Sequence, residues 1–184
     1  MNGNLMWCAI TASLMALGQA HASTFADAVD LTALAEEADG AYLATVTGLT
    51  SVPLDASRVE SIVTLHVDHS LFGAAEAGET LTVVHAGGTA GARVDLVSGA
   101  PRFHTGERVL IFVEARADGR FGVVDDAMGK LEILRDPSSG AELLRADGRL
   151  VGASPPSPDG APPGIPGTLP LSEALRRIPL RPTT

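Results

Sequence analysis

The stretch Gly99 to Val113, GAPRFHTGERVLIFV, constrains this chain more than any other. It reads as a Gly-Pro turn, a short approach, a second turn at Thr105-Gly106, and then an uninterrupted apolar run, Val109 to Val113, held between Arg108 and Glu114. A strand with one wet face alternates polar and apolar residues. A run that is apolar at every position is buried on both faces. Val109 to Val113 is therefore expected as the central strand of the sheet. Nothing in it specifies a reaction.

The chain has 184 residues, 45% of them apolar, which is enough for one domain with a real core plus appendages. Its net charge is -9, and a single lysine, Lys130, accompanies twelve arginines. The largest basic cluster is Arg176-Arg177. Nucleic acid and anionic membranes are bound through basic patches that release counterions, so neither is expected as a partner.

Met1 to Ala22 contains no Asp, Glu, Lys or Arg, runs mostly apolar from Leu5 to Leu17, and ends in Gly18-Gln19-Ala20-His21-Ala22. An apolar region followed by a small-x-small site predicts a signal peptide over residues 1–22, export to the periplasm or beyond, and Ser23 as the new N-terminus. The run is shorter than the roughly 20 residues a membrane span needs, so no stable span is expected after cleavage. Cys8, the only cysteine, lies inside this segment, behind Trp7 and ahead of most of the apolar run, which is not the arrangement of a lipoprotein signal. The mature chain then has no disulfide, thiolate metal site or cysteine nucleophile. Its core alone must hold it together.

Along the mature chain, Leu31, Leu34, Ala35 and Ala38 fall at helical spacing behind Asp30 as cap, with Gly40 as stop. Ala41 to Thr47 is an expected strand, and Gly48 to Ser57, containing Pro53, a loop. Arg58 to Asp68 alternates most cleanly: Val59, Val63, Leu65 and Val67 share one face, and Glu60, Thr64, His66 and Asp68 the other, with Ile62 the exception. Thr80 to His85 follows as a strand, Ala86 to Ala92 as a Gly-rich loop, and Arg93 to Val97 as a short strand. Asp118-Gly119 predicts a type I′ hairpin. Lys130 to Arg135, Glu142 to Arg145 and Arg149 to Val151 are further strands, the last two flanking Asp147-Gly148. Seven prolines and three glycines between Pro155 and Pro170 predict a linker over residues 155–170. A short helix capped by Ser172 follows, with Leu171, Leu175 and Ile178 on one side, to dock on the barrel or to grip a partner, docking being the expectation.

The expected organisation is thus a signal over 1–22, a β domain over 23–154, the linker, and a helical tail over 171–184. A helix followed by about five to seven strands with short connections predicts a mainly β fold, a small OB-like closed barrel or a compact sandwich, with a short helix at each end, and the barrel is the form expected here.

The candidate sites follow from residue chemistry. His66 and Asp68 share a strand face, and His69 and His85 supply further ligands for zinc or copper, giving a metal-binding protein or metal-dependent enzyme as the second reading. Solvated histidines on a sheet surface are the simpler account. Gly87-Gly88-Thr89-Ala90-Gly91 lacks the following helix and the lysine of a phosphate loop and reads as a flexible β-hairpin loop. No Gly-x-Ser-x-Gly, Ser-x-x-Lys or His-Glu-x-x-His occurs, and Ser98 with His104 is the nearest approach to a nucleophile and base. No cofactor is expected. Glu36-Glu37 reads as a solvated helix face and Asp125-Asp126 as a strand end. Phe103 is expected to plug the end of the barrel, and Arg102 to pair with Asp95 or Glu107 or to meet a partner.

Leu34-x4-Asp39-x3-Leu43-x2-Val46-x-Gly48, then Val63-x-Leu65-x-Val67-x3-Leu71-Phe72-Gly73, then Gly99-Ala100-Pro101-Arg102-Phe103-x2-Gly106-Glu107-Arg108 leading into Val109 to Val113, and Met128-Gly129-Lys130, together resemble a group of exported bacterial proteins. The same order of features resembles a cysteine-free version of the netrin-like fold of the tissue inhibitors of metalloproteases. The resemblance implies an OB-type barrel and an exported protein, such as a metalloprotease, as partner. Those inhibitors share an N-terminal cysteine that meets the catalytic zinc. Ser23 stands here instead, so the inhibitory mechanism does not carry over. The reading from sequence is an exported, non-enzymatic binding or accessory module, with Arg102 and Phe103 as candidate partner contacts.

Overall fold

The computed structural model describes residues 29–146, 168–179 and 181. The expected signal peptide, the Asp147-Gly148 turn, the strand after it and residues 155–167 of the expected linker lie outside the described residues. In order, the elements are α1 (Leu31–Glu37), β1 (Gly40–Pro53), β2 (Val59–Phe72), β3 (Thr80–Ala86), β4 (Gly88–Ala90), β5 (Arg93–Asp95), β6 (Arg108–Ala115), β7 (Phe121–Val123), a 3-10 turn at Asp126–Gly129, β8 (Lys130–Arg135), β9 (Glu142–Ala146), β10 (Thr168–Pro170) and α2 (Leu171–Arg177).

Strands β1, β2, β3, β7 and β6 close into a five-stranded barrel, because β6 returns to pair with β1 from Gly40↔Val113 to Thr45↔Arg108. The order β1-β2-β3-β7-β6, with β3 and β7 parallel and the other neighbours antiparallel, is OB-like. From β6 the sheet also runs outward through β8, β9 and β10. The β1–β2 ladder shifts register at three places, between Ala41/Tyr42, Leu43/Ala44 and Val46/Gly48. Such bulges bend and twist a strand pair, as closure of a small barrel requires.

The apolar run behaves as its pattern demands. Val109, Leu110, Ile111, Phe112 and Val113 are all fully buried. Val109, Ile111 and Val113 face the barrel interior, packed with Tyr42, Val63, Leu65, Val67 and Val83. Leu110 and Phe112 face the other way, into a second core built with Leu34, Ala35, Leu131, Leu144, Leu169 and Ala174. One strand thus belongs to two cores.

Helix α1 forms as its spacing predicts, with the Asp30 carboxylate accepting from the Thr32 and Ala33 N–H groups at 3.0 and 3.2 Å. The stop differs, since Ala38 is the C-cap and Gly40 already opens β1. Helix α2 packs on β9, β10 and α1, so the C-terminal helix docks. Arg181 ties this end down by donating to Glu36 O at 2.8 Å, with its guanidinium 5.3 Å from the Phe72 ring centroid. The N-cap of α2 is Pro170 with no side-chain hydrogen bond, in place of the expected Ser172 cap.

Several expectations are corrected. The loop placed at Gly48 to Ser57 is strand as far as Pro53, because β2 continues the pairing to Pro53↔Val59, and proline is tolerated there because β6 pairs with β1 only as far as Thr45, which leaves this part of β1 an edge. β2 likewise runs on to Phe72. Within the Gly-rich loop, Gly88–Ala90 pairs with β5 as a hairpin. At Asp118-Gly119 only Gly119 has a positive φ, 78°, and Gly119 N bonds to Arg116 O at 3.0 Å. That is a type I turn followed by a left-handed glycine, not type I′. Thr168–Pro170, assigned to the linker, pairs with β9 as an edge strand and buries Leu169. Glu60, placed on the wet face, is buried because the Arg120 guanidinium meets it at 2.5 Å.

Asp125-Asp126 is more than a strand end. β7 and β8 lie along the same edge of β6, β7 opposite Val113 to Ala115 and β8 opposite Val109 to Ile111. Between them the chain leaves the ladder with Asp125 and Asp126 both left-handed, at φ 49° and 50°, and re-enters at Lys130. Gly129 closes this excursion against the ladder. A Cβ there would lie 2.2 Å from Val124 O, so no other residue fits.

Two stability predictions follow. Phe112→Ala should lower the unfolding free energy by about 3–5 kcal/mol in denaturant titration, because a fully buried ring is removed from the second core. Tyr42, also fully buried, accepts from the Ala75 N–H at 3.2 Å through its hydroxyl. Tyr42→Phe leaves that donor unmet and should cost about 1–3 kcal/mol with no change in far-UV circular dichroism.

Candidate functional site

A cleft of about 800 Å³ opens at one end of the barrel, within the range of about 300–1,000 Å³ usual for ligand pockets. It lies between the outer part of the β1–β2 hairpin, the end of β3, the β4–β5 hairpin and the segment Leu96 to His104. Part of its lining comes from the first half of GAPRFHTGERVLIFV and from the Gly-rich stretch before it.

The floor is Phe103, buried against the barrel interior, which is the plug expected of it. The His85 ring stacks on it with centroids 5.8 Å apart and planes 29° apart. The Lys130 ammonium stands 5.5 Å from the Phe103 ring centroid and pairs with Glu107 at 3.1 Å. Lys130 and Glu132 alternate with Leu131 and Ile133 along β8, a pattern that puts Lys130 on the polar face. It is buried because Glu107, itself only 8% exposed at the side chain, neutralises it there. The Glu107 carboxylate also accepts from the His104 backbone N–H at 2.9 Å and so fixes the turn into β6.

The wall is the β4–β5 hairpin, pinned across the β1–β2 hairpin. The Ser61 hydroxyl donates to Gly87 O at 2.7 Å and lies 3.0 Å from the Ser51 hydroxyl. The Asp95 carboxylate accepts from the Val59 N–H at 2.9 Å. Gly88, at φ 135°, presses so closely that a Cβ would come within 2.4 Å of Ser61 Oγ and 2.6 Å of Ser51 Oγ. The glycines expected of a flexible loop thus serve a close backbone contact.

The rim is apolar and open. Leu96 is 90% exposed, Leu49 45% and Val97 41%, with Val94 beside them at 59%. Contiguous exposed apolar side chains of this kind mark interaction surfaces. Arg102 lines the cleft, is exposed, and makes no hydrogen bond or ion pair among the described residues. Neither expected partner takes it, since Asp95 is held by Val59 and Glu107 by Lys130.

The metal candidates do not converge. Asp68 accepts from the Thr45 hydroxyl at 2.8 Å and faces Arg108 at 3.8 Å. His66 lies opposite Thr80 and His85 opposite Ser61, near the two ends of the β2–β3 ladder, while His69 pairs with Leu43 on β1. Among the described residues no group of three or more His, Cys, Asp or Glu could hold a metal ion. Ser98 and His104 both line the cleft but form no hydrogen bond with each other.

Leu49, Ser51, Ser61, Leu96 and Val97 are the site residues that sequence reasoning missed. The one available signal was Leu96-Val97, an apolar pair just before a Gly-Ala-Pro bend, where a turn needs polar residues.

Burial pushes the His85 imidazole below its ordinary 6.5, against a weaker opposing hydrogen bond to Ala86 O and the nearby carboxylates of Asp126 and Glu60. A depressed folded-state value means that the unfolded chain binds the proton first as pH falls. The stability His85 contributes is present above its ordinary 6.5 and declines below it. Chemical denaturation at pH 7.5 and pH 5.5 should show a loss of stability at the lower pH, and His85→Phe should make that loss smaller.

Compared with known proteins, the chain matches no family model, no curated protein and no solved structure.

Proposed function

We propose that this chain is an exported, non-enzymatic barrel module that binds a protein partner through the cleft at the Phe103 end. The observation that carries this reading is the open apolar rim of Leu49, Leu96 and Val97, set beside the Arg102 guanidinium, which has no partner among the described residues. A folded domain has no stability reason to hold Leu96 in water at the edge of a cavity. A partner that covers it gives one.

Two further observations support the reading. The cleft is held rigid by hydrogen bonds from three separate segments, so a partner meets a surface already in its bound form. The histidine and carboxylate candidates for metal chemistry are spread over the barrel or already paired. Export rests on the apolar N-terminal segment of the sequence, and an exported protease as partner rests on the resemblance of the motif residues. Among the described residues no helix is long and apolar enough to cross a membrane.

A photoreactive amino acid placed at position 96 of the chain, in the cells that produce it, tests the proposal. A discrete adduct with an exported protein should form at position 96 and not at position 135. The pair Leu49→Glu and Val97→Glu should abolish the adduct with the melting temperature within a few degrees of the parent. Equal labelling at both positions, or none, would count against a protein-binding cleft.

A further inference from the structure

Strand β5 has a neighbour on one side only. It pairs with β4 as a two-stranded sheet, and among the described residues no strand covers its other edge. Arg93 and Val94 on it are exposed, and the chain runs straight from Asp95 into Leu96, Val97 and Ser98 of the cleft wall. An uncovered edge strand is a template for another chain, and native proteins blunt such edges with charge, bulges or cover. β5 carries such charges in Arg93 and Asp95, but both are turned to the β1–β2 hairpin, Arg93 donating to Asp55 O at 2.7 Å and Asp95 accepting from Val59 N–H at 2.9 Å, and the residues that follow the edge are apolar.

The same geometry discriminates between occupants. A small amphiphile needs a cavity that encloses most of its surface. This cleft leaves its most apolar residue, Leu96, 90% exposed on the rim, which suits a chain laid across it. The polar requirement is equally specific. Among the described residues Arg58, Arg108, Arg120, Arg145 and Arg177 are ion-paired, while Arg102, like Arg116 and Arg176, is not, and Arg102 is the one of these three that lines the cleft. A planar guanidinium with free donors is matched by a carboxylate.

We infer that the cleft takes an extended segment of the partner polypeptide, which adds as a strand to the open edge of β5, sets apolar side chains against Leu96 and Val97, and places an Asp or Glu side chain on Arg102. This inference rests on the protein-binding reading above and names the form of the partner. Backbone pairing supplies the alignment. Alternate side chains supply the choice, since residues two apart on the added strand point to the same face.

The test uses eight-residue peptides of alternating valine and threonine, acetylated and amidated at their ends, with a single Glu moved one position at a time. A matched set carries Gln at the same positions, and dodecanoate serves as the small amphiphile. Binding is followed on the isotope-labelled chain by amide chemical shifts and hydrogen exchange. At least one Glu peptide should shift the amides of Arg93, Val94 and Asp95, slow exchange there, and bind about tenfold more tightly than its Gln partner. Arg102→Gln should level the two, and Leu96→Ser should weaken both. Each replaces an exposed side chain, so the fold is not at risk.

Peptide binding that leaves the β5 amides unchanged would overturn the strand addition. Equal affinity of every Glu and Gln pair would overturn the role of Arg102. Arg102-dependent binding of dodecanoate with no peptide bound would replace the polypeptide by an amphiphile. A position-96 adduct together with failure of every peptide sinks this inference alone, whereas loss of both sinks the protein-binding reading as well.

Discussion

The structure depends on one strand being dry on both sides. β6 contributes Val109, Ile111 and Val113 to the barrel interior and Leu110 and Phe112 to the outer core, all of them fully buried. Burying a side chain of this size stabilises by about 1.5–3 kcal/mol, so five in a row weigh heavily against a net stability of only about 5–15 kcal/mol. The barrel alone would leave Leu110 and Phe112 in water. That is why α1, β8 to β10 and α2 are needed, and why α2 comes back across the molecule to bury Ala174 and Ile178 there.

The second constraint is how one edge of β6 serves both cores. β7 must lean toward β3 to close the barrel, and β8 must lean away to carry β9 and β10. A continuous strand cannot do both. The excursion from Asp125 to Gly129 separates the two directions, at the cost of two adjacent left-handed aspartates. Strain of that kind persists only where the surroundings over-determine it. Val124 N–H still donates to Phe112 O at 3.1 Å before the excursion, and the ladder resumes at Ile111↔Lys130 after it. Inside it, Ala127 N–H donates to Gly99 O at 2.9 Å, which ties the excursion to the segment forming one side of the cleft.

How much of this was legible depended on whether the signal was local. The two-sided burial of Val109 to Val113 was written in five consecutive residues, while strand spacing left an OB-like barrel or a compact sandwich, a choice settled by the pairing of β6 with β1. The Asp30 cap was a local signal of the same sort. Pro53 and the glycines at 87 and 88 misled because they read as loop formers, yet one ends a ladder and the others permit contact with Ser51 and Ser61, partners distant in sequence. Lys130 looked wet because Glu107, which neutralises it, lies on the far side of a strand and a hairpin. For the site, Arg102 and Phe103 stood out because, of the motif residues before the central strand, they are the ones that packing explains least. The rim did not, because Leu49 fell in a stretch expected as loop, and its place in β1 beside Leu96 and Val97 appears only in the fold.

Phe103 and Arg102 then divide the work between adjacent positions. Phe103 is fixed from three sides, by the barrel interior, by the His85 ring and by Lys130, so the backbone leaving it has little freedom. At the other end of the segment the Asp95 carboxylate is held by Val59 N–H, and between them Gly99 is held by Ala127. The loop that presents Leu96, Val97 and Arg102 is thus anchored at three points while its side chains stand in water. Such a loop gives up little conformational freedom on binding, so more of the contact energy from apolar cover and a charge-assisted pair is kept as affinity. Rigid backbone under uncovered side chains fits recognition better than it fits the folding of the barrel.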